Sequence, residues 1–197
     1  DSVAFTVDAP TLDVNRSSVD FGSVALGTSN TTKLNLTNNA STSISVRSLF
    51  VVGSRAGAFR VDDSTAPETI PATSNRTVNV TFRPTDRGNV SGTLVVNQNE
   101  VGLSGEGVAP RIQVTSGLPP EITTSGGAKN ATITVENTGN TDLNASITPQ
   151  RGENTESFTQ PNWLNISAGG SGSFDVRFDG STNFGFVELR LNPQTRD

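Results

Sequence analysis

Asparagines followed two residues later by serine or threonine are the most frequent chemistry-bearing pattern in the chain. They begin at Asn15, Asn30, Asn35, Asn39, Asn75, Asn79, Asn89, Asn130, Asn144 and Asn165. Each sets an amide that can carry an N-linked glycan beside a hydroxyl, and the set is roughly twice what composition would give by chance. Asn35, Asn79, Asn144 and Asn165 lie in the opposite phase from Leu34 and Leu36, Val78 and Val80, Leu143 and Ile147, Leu164 and Ile166. In a strand, that phase faces solvent. The competing reading is that a surface rich in Ser, Thr and Asn yields such triplets by accident.

Catalytic chemistry is poorly provided for. The chain has no His, Cys, Met or Tyr, which removes imidazole proton shuttles, thiolate nucleophiles, zinc sites and disulfides. Carboxylates are what remain. Glycosidase chemistry needs two at a fixed separation, and Glu100, Glu106, Glu121 and Glu136 are expected on turns or strand ends without forming a pair. Asp20-Phe21-Gly22 matches a kinase magnesium motif without the glycine-rich loop, strand lysine or catalytic loop that would accompany it. Gly105-Glu106-Gly107 is too short for a dinucleotide loop and fits a strand end or bulge. Asp62-Asp63 could join a calcium site, but no spaced ligand loop surrounds it. Trp163, the single tryptophan, is either a ligand-stacking platform or, as is usual in a sandwich, a packed or rim residue. We therefore expect no enzyme, no cofactor and no metal, with a carboxylate glycan hydrolase as a distant third reading.

Charge narrows the partners. The net charge is −5 and only Lys33 and Lys129 among 14 basic residues are lysines. No basic cluster exists to neutralise phosphates, so neither nucleic acid nor an anionic membrane is an expected partner. The longest apolar run, Leu49-Phe50-Val51-Val52, is strand-sized, which argues against membrane insertion. Lysine scarcity together with dense sequons leans toward a salt-adapted, archaeal source. A first residue of Asp1 fits a processed product or an excerpt of a longer protein.

The elements that must position these residues are strands. Leu34 and Leu36, Val78, Val80 and Phe82, and Leu94 and Val96 alternate with polar neighbours, and so do Ile133 and Val135, and Phe174, Val176 and Phe178. Phe186, Glu188 and Arg190 alternate with Val187, Leu189 and Leu191. The plan occurs twice. Lys33 to Ala40 parallels Ala131 to Asn140, a strand running into an Asn-rich turn, and Arg76 to Arg83 parallels Gly172 to Asp179. This predicts an all-β chain of two tandem immunoglobulin-like sandwiches, residues 11–109 and 110–197, preceded by an extra segment at 1–10.

Thr11-Leu12-Asp13-Val14, Val19 to Thr28, Thr81-Phe82-Arg83-Pro84, Gly92-Thr93-Leu94 and Leu103-Ser104-Gly105-Glu106-Gly107 together resemble the abnormal-spindle/hydin, choice-of-anchor-like type of immunoglobulin-like domain. Ile133 to Asn140 gives residues 111–197 a resemblance to cell-adhesion-type sandwiches. Such families supply binding, spacing or assembly modules of surface proteins, and the resemblance carries over no catalytic residue. A fold alone does not fix a function.

One asymmetry points to assembly. Residues 101–108 form a closing strand for the first sandwich, whereas after Leu191 only Asn192 to Asp197 remain, a polar stretch with a proline that is expected to supply no strand. Conversely, Ser2 to Pro10 resembles Val101 to Pro110 with no sandwich in front of it, and Val3, Phe5 and Val7 share one face. The expectation is a structural subunit of an extracellular filament or pilus, in which the first residues of one copy complete the second sandwich of the next, head to tail. Two alternatives stay open: a binding or spacer module of a larger cell-surface adhesin that contacts other surface proteins or glycans, and a first segment folded on its own domain's edge.

Overall fold

The computed structural model describes residues 11–62, 68–115, 127–182 and 185–194. The chain divides into two compact units, residues 1–108 and 109–197. Among the described residues the regular structure is almost all β, with two single-turn 3-10 segments at Ala56–Ala58 and Thr155–Ser157. No helix among them is long and apolar enough to cross a membrane.

The first unit contains β1 (Leu12–Val14), β2 (Ser18–Ala25), β3 (Asn30–Asn38), β4 (Ile44–Val46), β5 (Leu49–Val52), β6 (Phe59–Val61), β7 (Glu68–Ile70), β8 (Asn75–Phe82), β9 (Gly88–Val96) and β10 (Asn99–Val108). One sheet has the order β1-β3-β8-β6, the other β2-β10-β9-β5, and β4 pairs with β7 as a short ribbon. Strict alternation along β3, β8 and β9 turns Leu34, Leu36, Val78, Val80, Phe82, Leu94 and Val96 into one core between the sheets. Phe21, Phe59 and Phe82 join it as a three-ring cluster with centroids 4.9–5.8 Å apart. β10 runs antiparallel to β9 and parallel to β2, with a register shift between Ser104 and Glu106.

The second unit contains β11 (Ile112–Val114), β12 (Lys129–Asn137), β13 (Leu143–Glu153), β14 (Phe158–Thr159), β15 (Trp163–Ile166), β16 (Ser171–Phe178) and β17 (Phe186–Pro193). Its sheets are β11-β12-β16-β14 and β15-β13-β17. The first of these repeats β1-β3-β8-β6 strand for strand, and the Phe158–Phe178 pair, 5.2 Å apart, takes the place of Phe59–Phe82. Its core gathers Ile133, Val135, Leu143, Ala145, Ile147, Leu164, Ile166, Phe174 and Val176.

The strongest mark of common design is a buried asparagine that ends the equivalent strand in each unit. Asn38 is wholly buried, and its amide nitrogen donates to the carbonyls of Thr42, Ile70 and Pro71 at 2.9–3.0 Å while its Oδ1 accepts from Ala40 N–H. Asn137, equally buried, donates to Thr141, Ile166 and Ser167 at 2.9–3.3 Å and accepts from Gly139 N–H and Arg111 N–H. Asn38 ties the turn at residues 40–42 to Ile70-Pro71, and Asn137 ties the turn at residues 139–141 to Ile166-Ser167 and to Arg111, satisfying backbone groups that would otherwise be stranded in the interior. β3 and β12 run on through Asn38 and Asn137, which continue the inward phase of their strands, and the Asn-rich turns begin after them.

Candidate functional site: an open strand edge

The two units differ most where a sheet closes. In the first, β10 lies between β9 and β2. Under that cover Val90, Leu94 and Val96 of β9 are at most 2% exposed, as are Val101 and Leu103 of β10. Two glycines let β10 sit this close. A Cβ at Gly105 would lie 2.6 Å from the Phe82 ring, and one at Gly107 would lie 2.1 Å from the carbonyl oxygen of Asp86.

In the second unit β17 takes the place of β9. Among the described residues it pairs with β13 and with no second strand. Its inward side chains, Val187, Leu189 and Leu191, touch the core yet remain half-exposed. Covering them more fully would contribute about 1 kcal/mol apiece, since full burial of such a side chain is worth about 1.5–3 kcal/mol. The strand also runs on to Pro193, opposite Ala145, beyond the limit at Leu191 expected from the sequence. Gln194 N–H bonds the carbonyl of Asn144 at 2.7 Å, so by alternation the missing N–H of Pro193 faces away from β13, a position an edge strand tolerates. The same alternation turns the N–H and C=O groups of Val187, Leu189 and Leu191 toward the open side. An edge whose backbone groups pair with no second strand among the described residues, above half-covered aliphatics, is suited to accept a further strand.

Val3, Phe5 and Val7, the expected donor residues, lie outside the described residues, as do Asp63 and Glu121. The sequon asparagines are distributed over several surfaces. Asn15, Asn30, Asn39, Asn75, Asn89, Asn130 and Asn165 are exposed, while Asn35, Asn79 and Asn144 are half-buried. Asn35 carries a buried Oδ1 with no hydrogen-bond partner among the described residues, whereas Asn144 and Asn165 face each other across β13 and β15.

The remaining motifs resolve into structure. Phe21 is core, and Asp20 Oδ1 accepts from Gly22 N–H at 3.0 Å within β2, where Gly22, at φ +65°, lies at the register shift against β10. Gly105, Glu106 and Gly107 belong to β10, where Glu106 accepts a 3.1 Å hydrogen bond from the Ser23 hydroxyl. Trp163 is 54% exposed and sits opposite Ser146, so it is an outward surface residue rather than a packed one. No group of three His, Cys, Asp or Glu side chains gathers among the described residues. Asp179 is held below the usual carboxylate range by hydrogen bonds from Ser181, whose backbone N–H lies 2.8 Å away; both residues cap an exposed turn.

Two sheets packed over one apolar core, in the orders β1-β3-β8-β6 and β2-β10-β9-β5, define an immunoglobulin-like β-sandwich. The Cep192 domain 4 family matches residues 9–115, more than half of the chain, and the chain belongs to that family. No curated protein matches the sequence. Similar solved structures include a protein of unknown function from Porphyromonas gingivalis W83, with 17% identity over 85% of this chain and 83% of that one and a TM-score of 0.38. The ASH/PapD-like domain 7 of human CEP192 shows 20% identity over 56% of this chain and 98% of that one, with a TM-score of 0.36. The periplasmic chaperone SfaE shows 13% identity over 92% and 98%, with a TM-score of 0.33.

Proposed function

We propose that the protein is a non-catalytic structural subunit of an extracellular filament, built by strand donation from residues 1–9 of one copy to the second unit of the next. The observation that carries this reading is the open edge of β17 with Val187, Leu189 and Leu191 half-covered beneath it. The occupant is chosen by pattern. Ser2 to Pro10 matches the closing strand and its Ala-Pro exit, Val101 to Pro110, and offers three apolar side chains on one face. Because donor and acceptor are different surfaces of the same chain, the contact is heterologous and propagates.

Removing residues 1–9 is expected to convert a concentration-dependent series of oligomers into monomers in gel filtration and to abolish fibres in electron microscopy. The full-length and shortened chains running as the same stable monomer would sink the proposal. Fibres persisting in the shortened chain would sink it equally.

We further read the surface as glycosylated, which fits an extracellular location and the exposed sequon asparagines at 15, 30, 39, 75, 89, 130 and 165. Mass spectrometry of native protein is expected to find glycan on several of these, with Asn35 bare because of its half-buried position. Unmodified asparagines throughout would remove the claim. A spacer module in a longer adhesin of cell-adhesion type is the second reading; a strand later in the same polypeptide would then close β17 in place of a neighbour's.

A further inference from the structure

We infer that the donated segment docks antiparallel along β17 in one register, with Val3 opposite Val187 and Phe5 opposite Gly185, so that the Phe5 ring lands beside Phe158 and Phe178. This rests on the strand-donation reading and adds to it where each residue goes. The register follows from matching the two units internally. Gly53 stands three residues before the 3-10 turn Ala56–Ala58, as Gly152 does before Thr155–Ser157. A Cβ on Gly53 would meet Gly92 Cα and Ser91 O, and one on Gly152 would meet Phe186 O. Val187 of β17, which pairs with Gly152, therefore corresponds to Gly92 of β9, and Gly185 to Val90. In the first unit β10 sets Leu103 opposite Gly92 and Gly105 opposite Val90. Aligning Ala9-Pro10 with Ala109-Pro110 puts Val3 at the place of Leu103 and Phe5 at the place of Gly105.

Size complementarity supports this register. In the first unit the β9 residue is a valine and the closing-strand residue opposite it is a glycine, which is required because Phe82 fills the space. In the second unit the glycine is on the β17 side, at Gly185, close beside the Phe158 ring. A side chain at Gly185 would press on that ring, so an incoming Phe5 meets the Phe158 and Phe178 pair across a position with no side chain of its own. The first unit has three rings at this level, Phe21, Phe59 and Phe82. Among the described residues the second contributes two, Phe158 and Phe178. Offset or tilted ring pairs of this kind add to the burial of apolar area.

The absence of native cysteine makes the register directly testable. Ala4 would lie opposite Phe186, whose side chain is 53% exposed on the outer face, at a cross-strand spacing compatible with a disulfide. The full-length double variant Ala4→Cys with Phe186→Cys is expected to oxidise into a ladder of covalent oligomers on a non-reducing gel. Ala4→Cys with Glu188→Cys is expected to give at least ten-fold less. A ladder from the second pair and not the first would overturn the register while leaving donation intact. A disulfide formed within one chain, or monomers without cross-links in both variants, would overturn register and donation together. Separately, Phe5→Ala is expected to weaken self-association at least ten-fold and Phe5→Leu less; equal association of both with the parent would overturn the anchor role.

Discussion

Replacing Asn38 or Asn137 by aspartate is expected to destabilise the unit that holds it by about 3–5 kcal/mol, enough to unfold it at mild denaturant concentration. The substitution exchanges one amide nitrogen for an oxygen at nearly constant volume. Two N–H bonds shared among the carbonyls of Thr42, Ile70 and Pro71, or of Thr141, Ile166 and Ser167, vanish. In their place a carboxylate oxygen faces carbonyl oxygens in the interior. Each stranded buried group costs about 1–3 kcal/mol, and a buried charge without a counter-ion adds to that. A small domain has about 5–15 kcal/mol to lose. Urea titration monitored by circular dichroism measures the effect, and the Asn38→Ala and Asn137→Ala variants should fall between parent and aspartate. If the aspartate variants unfold within about 0.5 kcal/mol of the parent, the tether assigned to these residues is wrong.

Gly107→Ala is expected to cost about 3 kcal/mol or more, and Gly105→Ala about 1–3 kcal/mol. The order follows from what each new methyl meets. At Gly107 it meets a backbone carbonyl, that of Asp86, and the Pro84 side chain, neither of which can step aside without moving the turn. At Gly105 it meets the ring of Phe82, a side chain that can shift but is wholly enclosed. Overpacking a filled core costs about 1–3 kcal/mol when side chains alone adjust, and more when the backbone must. Chemical denaturation of both variants gives the comparison, and a Gly107→Ala protein as stable as its parent would contradict the close seating of β10.

These two sets of residues also show what could be read in advance. Alternation announced β3, β8, β9, β12 and β16, because each buries one face and a two-residue period survives in the letters. The same period, followed one step further, reaches Asn38 after Leu36 and Asn137 after Val135, and would have exposed the tether. Asparagine reads as a turn residue because its local backbone bonding usually decides its place. Here long-range carbonyls, up to 33 residues away, decided it instead. β4 and β7 were illegible for another reason: a three-residue strand carries too few letters to establish a period. β17 was ambiguous, since Phe186 on one phase balances Val187, Leu189 and Leu191 on the other. Packing resolved it in favour of the aliphatic phase.

The parallel pairing of β2 with β10 has a mechanical consequence. These strands stand near the beginning and the end of the first unit, and their partners run in register from Ser18 beside Gly102 to Ala25 beside Val108. Tension pulling the two ends of that unit apart is directed along the ladder, so the hydrogen bonds on either side of the register shift bear the force in shear, together rather than one after another.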